Sequence, residues 1–174
     1  MGDQEMPVVR IAEPDDFAQL PAVEAAADEL FRPLGITDLP PPASAAERSR
    51  AWRVLVAGRP VRGFAVLQLV AGAVHLEQLS VHPAAGRRGI GGALLAAVVT
   101  AAREAGADRV TLLTYADVPW NAPFYARHGW RVTTRLTPGL RALRVREVEL
   151  GLDRHGERVA MVRPVAPGDG PPPG

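Results

Sequence analysis

Residues 76–95 read Leu-Glu-Gln-Leu-Ser-Val-His-Pro-Ala-Ala-Gly-Arg-Arg-Gly-Ile-Gly-Gly-Ala-Leu-Leu, and this run leaves few folds open to the chain. An apolar strand ends at His82-Pro83, glycines and two arginines follow, and an Ala/Leu-rich helix begins at about Gly91. Glycines let backbone N–H groups approach an anion closely. A helix start adds unpaired donors and the positive end of a dipole. Arg87 and Arg88 place formal charge beside them. Strand, loop and helix in this order are built to hold a phosphate group.

Two common phosphate loops do not fit. No Gly-Lys-Ser/Thr closes the segment, so it is not a P-loop. Gly89 and Gly91 begin a dinucleotide pattern, but its third glycine position is Leu94.

The rest of the chain alternates short strands and helices. Strands are expected at Val8–Ile11, Trp52–Ala57, Val61–Val70, Ala73–Val81, Arg109–Tyr115, Arg131–Arg135 and Glu157–Arg163. Helices are expected near Asp15–Leu30, Ala45–Arg50, Gly91–Ala105, Asn121–His128 and Pro138–Leu150, with Gly106 and Gly151 as stops. Turns fall at Gly58-Arg59-Pro60 and Ala71-Gly72. An antiparallel meander followed by a strand–loop–helix–strand crossover gives an α/β sheet flanked by helices. In Ala73–Val81 the apolar set changes parity, from Val74 and Leu76 to Leu79 and Val81. Side chains alternate faces along a strand, so this predicts either a bulge near Glu77-Gln78 or a strand buried on both faces. Residues 1–164 are expected to form one domain, with a Pro/Gly-rich disordered tail over 165–174.

Composition narrows the chemistry. The 174 residues contain no cysteine, so disulfides, Cys-ligated zinc and an acyl-cysteine intermediate are excluded. No histidine pair with carboxylate support has metal-site spacing, and no metal is expected. A net charge of +1 argues against broad nucleic-acid or membrane binding. No apolar run approaches ~20 residues and Met1–Arg10 lacks a signal-peptide layout, so a soluble, cytoplasmic protein is expected.

Gly86-Arg87-Arg88-Gly89-Ile90-Gly91 resembles motif A of the GNAT superfamily of acyl-CoA-dependent N-acetyltransferases, Gln/Arg-x-x-Gly-x-Gly/Ala. Gly86 departs from the family's Gln or Arg, and Arg87 or Arg88 is the substitute donor. Residues 117–130, Asp-Val-Pro-Trp-Asn-Ala-Pro-Phe-Tyr-Ala-Arg-His-Gly-Trp, resemble the family's Asn-x-x-Ala/Pro-x-x-Tyr-x-x-x-Gly-Phe segment, with Trp130 at the Phe position. The resemblance covers roughly residues 7–164. It implies a mixed, mostly antiparallel sheet of six to seven strands with a bulged central strand. It also implies acetyl-CoA as cosubstrate, bound by Leu79, Ser80, Val81, Arg87, Arg88, Gly89, Ile90, Gly91, Gly92, Asn121 and Tyr125. Dimerisation is common in the family, so a homodimer is a further expectation.

Amide formation needs a deprotonated amine, an oxyanion site and a proton for the leaving thiolate. Tyr125 is the candidate acid and Glu77 the candidate base, acting through a water, with His75 as a rival base. Each has a plainer counterpart: Tyr125 as a packing tyrosine beside Phe124, Glu77 as a salt-bridged strand carboxylate, and Asn121 as a helix cap. The family's acceptor groove implies Glu24, Asp28, Phe31, Tyr115 and Trp120 as substrate contacts. The two acids read equally as the solvated face of an Ala-rich helix. The expected activity is direct acetyl transfer to a small-molecule or peptide amine in a ternary complex. The competing reading is an acyl-CoA-binding sensor or interaction module with little turnover.

Overall fold

The structure is a computed structural model and describes residues 6–166. Seven strands form one mixed sheet: β1 (Val9–Ile11), β2 (Arg53–Ala57), β3 (Gly63–Val70), β4 (Ala73–Val81), β5 (Arg109–Tyr115), β6 (Arg131–Thr133) and β7 (Arg158–Pro164), in the order β1-β2-β3-β4-β5-β7-β6. Flanking helices are α1 (Leu20–Asp28), α2 (Ala45–Arg48), α3 (Ile90–Glu104), α4 (Ala122–Arg127) and α5 (Pro138–Glu149). The neighbours β4 and β5 run parallel, as the α3 crossover requires; β1–β2, β2–β3, β5–β7 and β6–β7 are antiparallel. No helix among the described residues is long and apolar enough to cross a membrane.

The described residues divide into two compact units, one of residues 6–68 and 77–97 and the other of 69–76 and 98–166. In the first, Leu20 and Val23 of α1 pack with Val54, Val56, Val61, Phe64 and Val66 into an apolar core. Burying such side chains is worth roughly 1.5–3 kcal/mol each. In the second, Val74, Val110, Leu112, Ala160 and Met161 are buried strand residues, joined by Trp130 and Leu140.

The helix expected over Asp15–Leu30 is broken into three pieces. A 3-10 turn spans Pro14–Gln19, α1 follows, and a second 3-10 turn spans Glu29–Leu34 before Gly35 at φ 78°. Pro21, in the first turn of α1, lacks the N–H that would carry an α-helical ladder back into the preceding turn. At the other end of the chain, Val165 falls in the expected tail but is buried, and its amide donates to Asp108 O at 2.8 Å. Residues 167–174 of that tail lie outside the described residues.

The parallel β4–β5 ladder pairs Val74–Leu76 with Val110–Leu112, while β4 itself runs on to Val81. The ladder therefore ends at Leu76, next to the place where the apolar parity changes. From Glu77 the strand belongs to the first unit, where β3 and the first turn of α3 meet closely. A Cβ added at Gly63 would lie 2.8 Å from Ile90 Cγ2 and 3.2 Å from both Leu94 Cδ1 and Ser80 O. Since a branched side chain and a carbonyl oxygen have little room to give, Gly63→Ala is expected to destabilise the protein by about 1–3 kcal/mol, read as a lower urea midpoint with unchanged slope.

Candidate functional site

In the first unit the phosphate loop is shaped by local backbone chemistry. His82 ends β4 and caps a single 3-10 turn, Pro83–Ala85, by accepting the Ala84 amide on Nδ1 at 3.1 Å. Gly86 is extended, and a Cβ there would come within 3.1 Å of Pro83 O, so its lack of a side chain suits the tight approach. Arg87 and Gly89 both take positive φ, 61° and 77°; for Arg87 this conformation costs about 1–2 kcal/mol. Residues 86–89 are exposed. The first turn of α3 follows, and the amides of Ile90, Gly91 and Gly92 precede the bond from Ala93 N to Gly89 O at 2.9 Å. Amides without an intrahelical partner at the start of a 15-residue helix, beside two exposed arginines, can receive a phosphate oxygen.

Upstream of the loop, Ser80 is buried and its Oγ accepts from Gln78 Nε2 at 2.9 Å, while Leu79 and Val81 are half-buried. Glu77 is exposed. Its carboxylate accepts from Gln68 Nε2 at 3.2 Å and lies 3.6 Å from Arg48 Nη1. Arg48 is itself buried and donates to Glu24 at 2.8 Å, so one guanidinium links a buried carboxylate of α1 to the exposed one on β4. Arg48 Nε is buried without a hydrogen-bond partner. Glu24, expected as an acceptor contact, is thus held by Arg48. Asp28 lies one turn further along α1, half-buried; burial, with the Glu24 and Glu29 charges adding to it, pushes its carboxyl up to about 6. Phe31 is half-buried in the 3-10 turn that follows.

The second unit holds the remaining candidates. Tyr115 ends β5; it is buried, its hydroxyl donates to Leu152 O at 3.0 Å, and Arg158 sits 4.4 Å over its ring. Trp120 is half-buried. Asn121, the expected first residue of its helix or its cap, sits at the N-cap of α4, before the first helical residue. Pro123 in the first turn sets that boundary. The Asn121 side chain does not cap the helix; its Oδ1 accepts the Tyr115 amide at 3.4 Å, and its carbonyl accepts the Tyr125 amide at 3.0 Å. Tyr125 is buried, with edge-on contacts to Phe124 and Trp130 at 5.6 and 6.1 Å between ring centroids. Burial raises its phenol well above the ordinary tyrosine value, against the opposing pull of Arg158, so it carries its proton throughout the physiological range. His75, the rival base, is buried against Thr111 Oγ1 at 2.9 Å, and burial lowers it to about 4. A histidine so depressed is neutral at pH 7 but a weak proton acceptor.

Residues 48–132 match the acetyltransferase (GNAT) domain. Over this stretch, just under half of its length, the chain is similar to the GNAT acetyltransferases. Mycothiol acetyltransferase from Kineococcus radiotolerans is 39% identical over 97 residues, which are 52% of this chain and 28% of that enzyme, so the chain spans well under half of this relative's length. Among solved structures, the ribosomal-protein-S18-alanine N-acetyltransferase from Escherichia coli superposes with a TM-score of 0.66 at 18% identity, covering 92% of this chain and 94% of its own. N-acetylglutamate synthase from Neisseria gonorrhoeae, complexed with coenzyme A and N-acetyl-glutamate, superposes at 0.68 with 21% identity, covering 92% of this chain and 35% of that one. Both share the fold.

The elevated Asp28 carboxyl has a signed consequence. Its folded-state value lies above the unfolded one near ~3.9, so the folded protein binds the proton more tightly and loses stability as pH rises through about 6. Asp28→Asn should therefore unfold at a higher temperature than wild type at pH 7.5, with the gain shrinking as pH falls through about 6 and gone near pH ~4.

Proposed function

We propose that the chain is an acetyl-CoA-dependent N-acetyltransferase that acetylates a primary amine by direct attack in a ternary complex. The observation that carries this is the exposed Arg87–Gly89 loop leading into the first turn of α3, after a β4 strand whose parallel ladder stops at Leu76. The coenzyme A in the gonococcal synthase complex supports the choice of cosubstrate.

Acetyl-CoA, when bound, supplies an acetyl group activated as a thioester. In this reading the amides of residues 89–92 and the guanidinium groups of Arg87 and Arg88 hold the pyrophosphate. Backbone groups of Leu79, Ser80 and Val81, with Asn121, hold the pantetheine arm. Glu77 takes a proton from the amine, through a water, so that the nitrogen lone pair can attack the carbonyl carbon. Tyr125 gives its phenolic proton to the sulfur as the C–S bond breaks, and solvent returns a proton afterwards. Tyr125 carries its proton at neutral pH and so has one to give, while its raised value makes it a weaker acid than an ordinary tyrosine. The acid and the base are each worth about 10²–10⁴ in rate.

The acceptor is a small-molecule or peptide amine. Its contacts in this reading are Asp28, Phe31 and Trp120, with Glu24 and Tyr115 shaping the wall from their paired positions. We place the protein in the cytoplasm, with residues 1–164 as one catalytic domain acting as a monomer or homodimer.

Calorimetric titration with acetyl-CoA is expected to show saturable, micromolar-range binding, and thiol release from acetyl-CoA is expected on addition of a suitable primary amine. Absence of binding in a folded sample would end the reading. Binding with no turnover across an amine panel would favour the acyl-CoA sensor. Tyr125→Phe should lower turnover at least about tenfold while leaving acetyl-CoA affinity and thermal stability near wild type, because no hydrogen bond to its hydroxyl contributes to its environment. An unchanged rate would reduce Tyr125 to a packing residue.

A further inference from the structure

A cavity of about 390 Å³ opens within the first unit, lined by Arg10, Arg59, Arg62 and Arg88 together with apolar Val8 and Ile90. Four guanidinium groups around one small space repel each other unless something compensates them. Two are compensated internally. Arg10 makes a bidentate pair with Asp16 at 2.6 and 2.9 Å, and Arg59 reaches both carboxylate oxygens of Glu13 at 3.1 Å. Arg62 and Arg88 have no acidic partner among the described residues.

The position of Arg62 is set by its surroundings. Its amide donates to Ala57 O at 2.8 Å, and its carbonyl accepts from His82 N at 2.8 Å. Its stem lies against Gly58, where an added Cβ would come within 3.1 Å of Arg62 Cγ. Gly63, the residue after Arg62, touches the start of α3 at Ile90 and Leu94, so the β2–β3 turn carrying Arg62 is anchored to the helix on that side. Arg88 approaches from the other wall, two residues before that helix begins. Arg62 and Arg88 are exposed, and cations without an acidic partner near the positive end of a helix dipole attract an anion with high charge and several acceptor oxygens.

We infer that this cavity is a binding site for a phosphate monoester, with Arg62 as its own charge partner, Arg88 shared between it and the neighbouring pyrophosphate site, and the acid-paired Arg10 and Arg59 as its rim. The monoester has two chemical sources. One is the 3′-phosphate of coenzyme A, a source that rests on the cofactor reading above. The other is a separate small phosphorylated molecule.

The test is calorimetry on the full chain, wild type and Arg62→Gln, with inorganic phosphate, acetyl-CoA and acetyl-3′-dephospho-CoA as probes. Glutamine keeps part of the stem that lies on Gly58 and removes the charge, and a thermal melt checks folding. If the cavity holds the cofactor's 3′-phosphate, Arg62→Gln weakens acetyl-CoA about tenfold and leaves the dephospho form unchanged. If it holds a separate molecule, phosphate binds wild type in the presence of saturating acetyl-CoA, and Arg62→Gln removes that binding without altering acetyl-CoA affinity. Equal binding of all three probes by the folded variant and wild type would overturn the site, as would failure of wild type to bind phosphate with no difference between the two cofactor forms. Failure of wild type to bind either cofactor form would instead end the cofactor reading, and the phosphate titration alone would then decide the cavity.

Discussion

The contact between Gly63 and the first turn of α3 is the constraint on which the first unit is arranged. No side chain fits between β3 and Ile90, so strand and helix lie as close as backbone and a branched side chain allow. The chain leaving β4 at Val81 must reach Ile90 across this fixed gap. It does so with one 3-10 turn capped by His82, an extended Gly86, and two positive-φ residues, Arg87 and Gly89. The strained Arg87 conformation is thus a result of geometry imposed from both ends. The loop's exposed amides are the chemical outcome of that geometry.

Charge in the first unit is organised around one buried guanidinium. Arg48 belongs to a four-residue helix whose Ser44–Glu47 capping box fixes it in place, with bonds of 3.2 and 2.7 Å. From there Arg48 satisfies Glu24 and faces Glu77. Removing Glu24 or Arg48 alone would strand the other in a poorly solvated place, a change that typically costs about 3–5 kcal/mol. The carboxylate on β4 is accordingly part of a connected system reaching back to α1, and what happens at Glu77 is felt there.

Much of this was legible in the sequence where one physical signal dominated. The apolar runs of β4 and β5 coincide with Ala73–Val81 and Arg109–Tyr115, and α3 begins and ends one residue from its expected bounds because Gly106, at φ 70°, stops it. The glycine-and-arginine loop announced its place at a helix start. Reading failed where a single missing N–H outweighed helix propensity, as at Pro21. It also could not find Arg48, Gln68 or Arg62. Arg48 meets Glu24 across 24 positions, and no periodicity links residues that only the fold brings together. Arg62 is distinguished by its neighbours at Gly58 and His82, which sequence spacing does not connect to it.

Helix α5 is attached in a different way from α1. Only Leu140 and Glu147 of its residues are buried, while Val145 and Val148 face outward. Glu147 accepts from Arg158 of β7 and from Arg144, and Arg144 in turn makes a bidentate pair with Asp153 at 3.0 and 2.9 Å. Apolar contact is indifferent to direction and lets a helix slide slightly over its support. A planar guanidinium fork on a carboxylate accepts only one alignment. Arg158 also lies over the ring of Tyr115, so the same fork that receives the helix is registered to the last residue of β5. The polar pairing acts as an indexing pin: it adds little to how tightly α5 is held, and it determines the single rotational setting in which α5 engages β7.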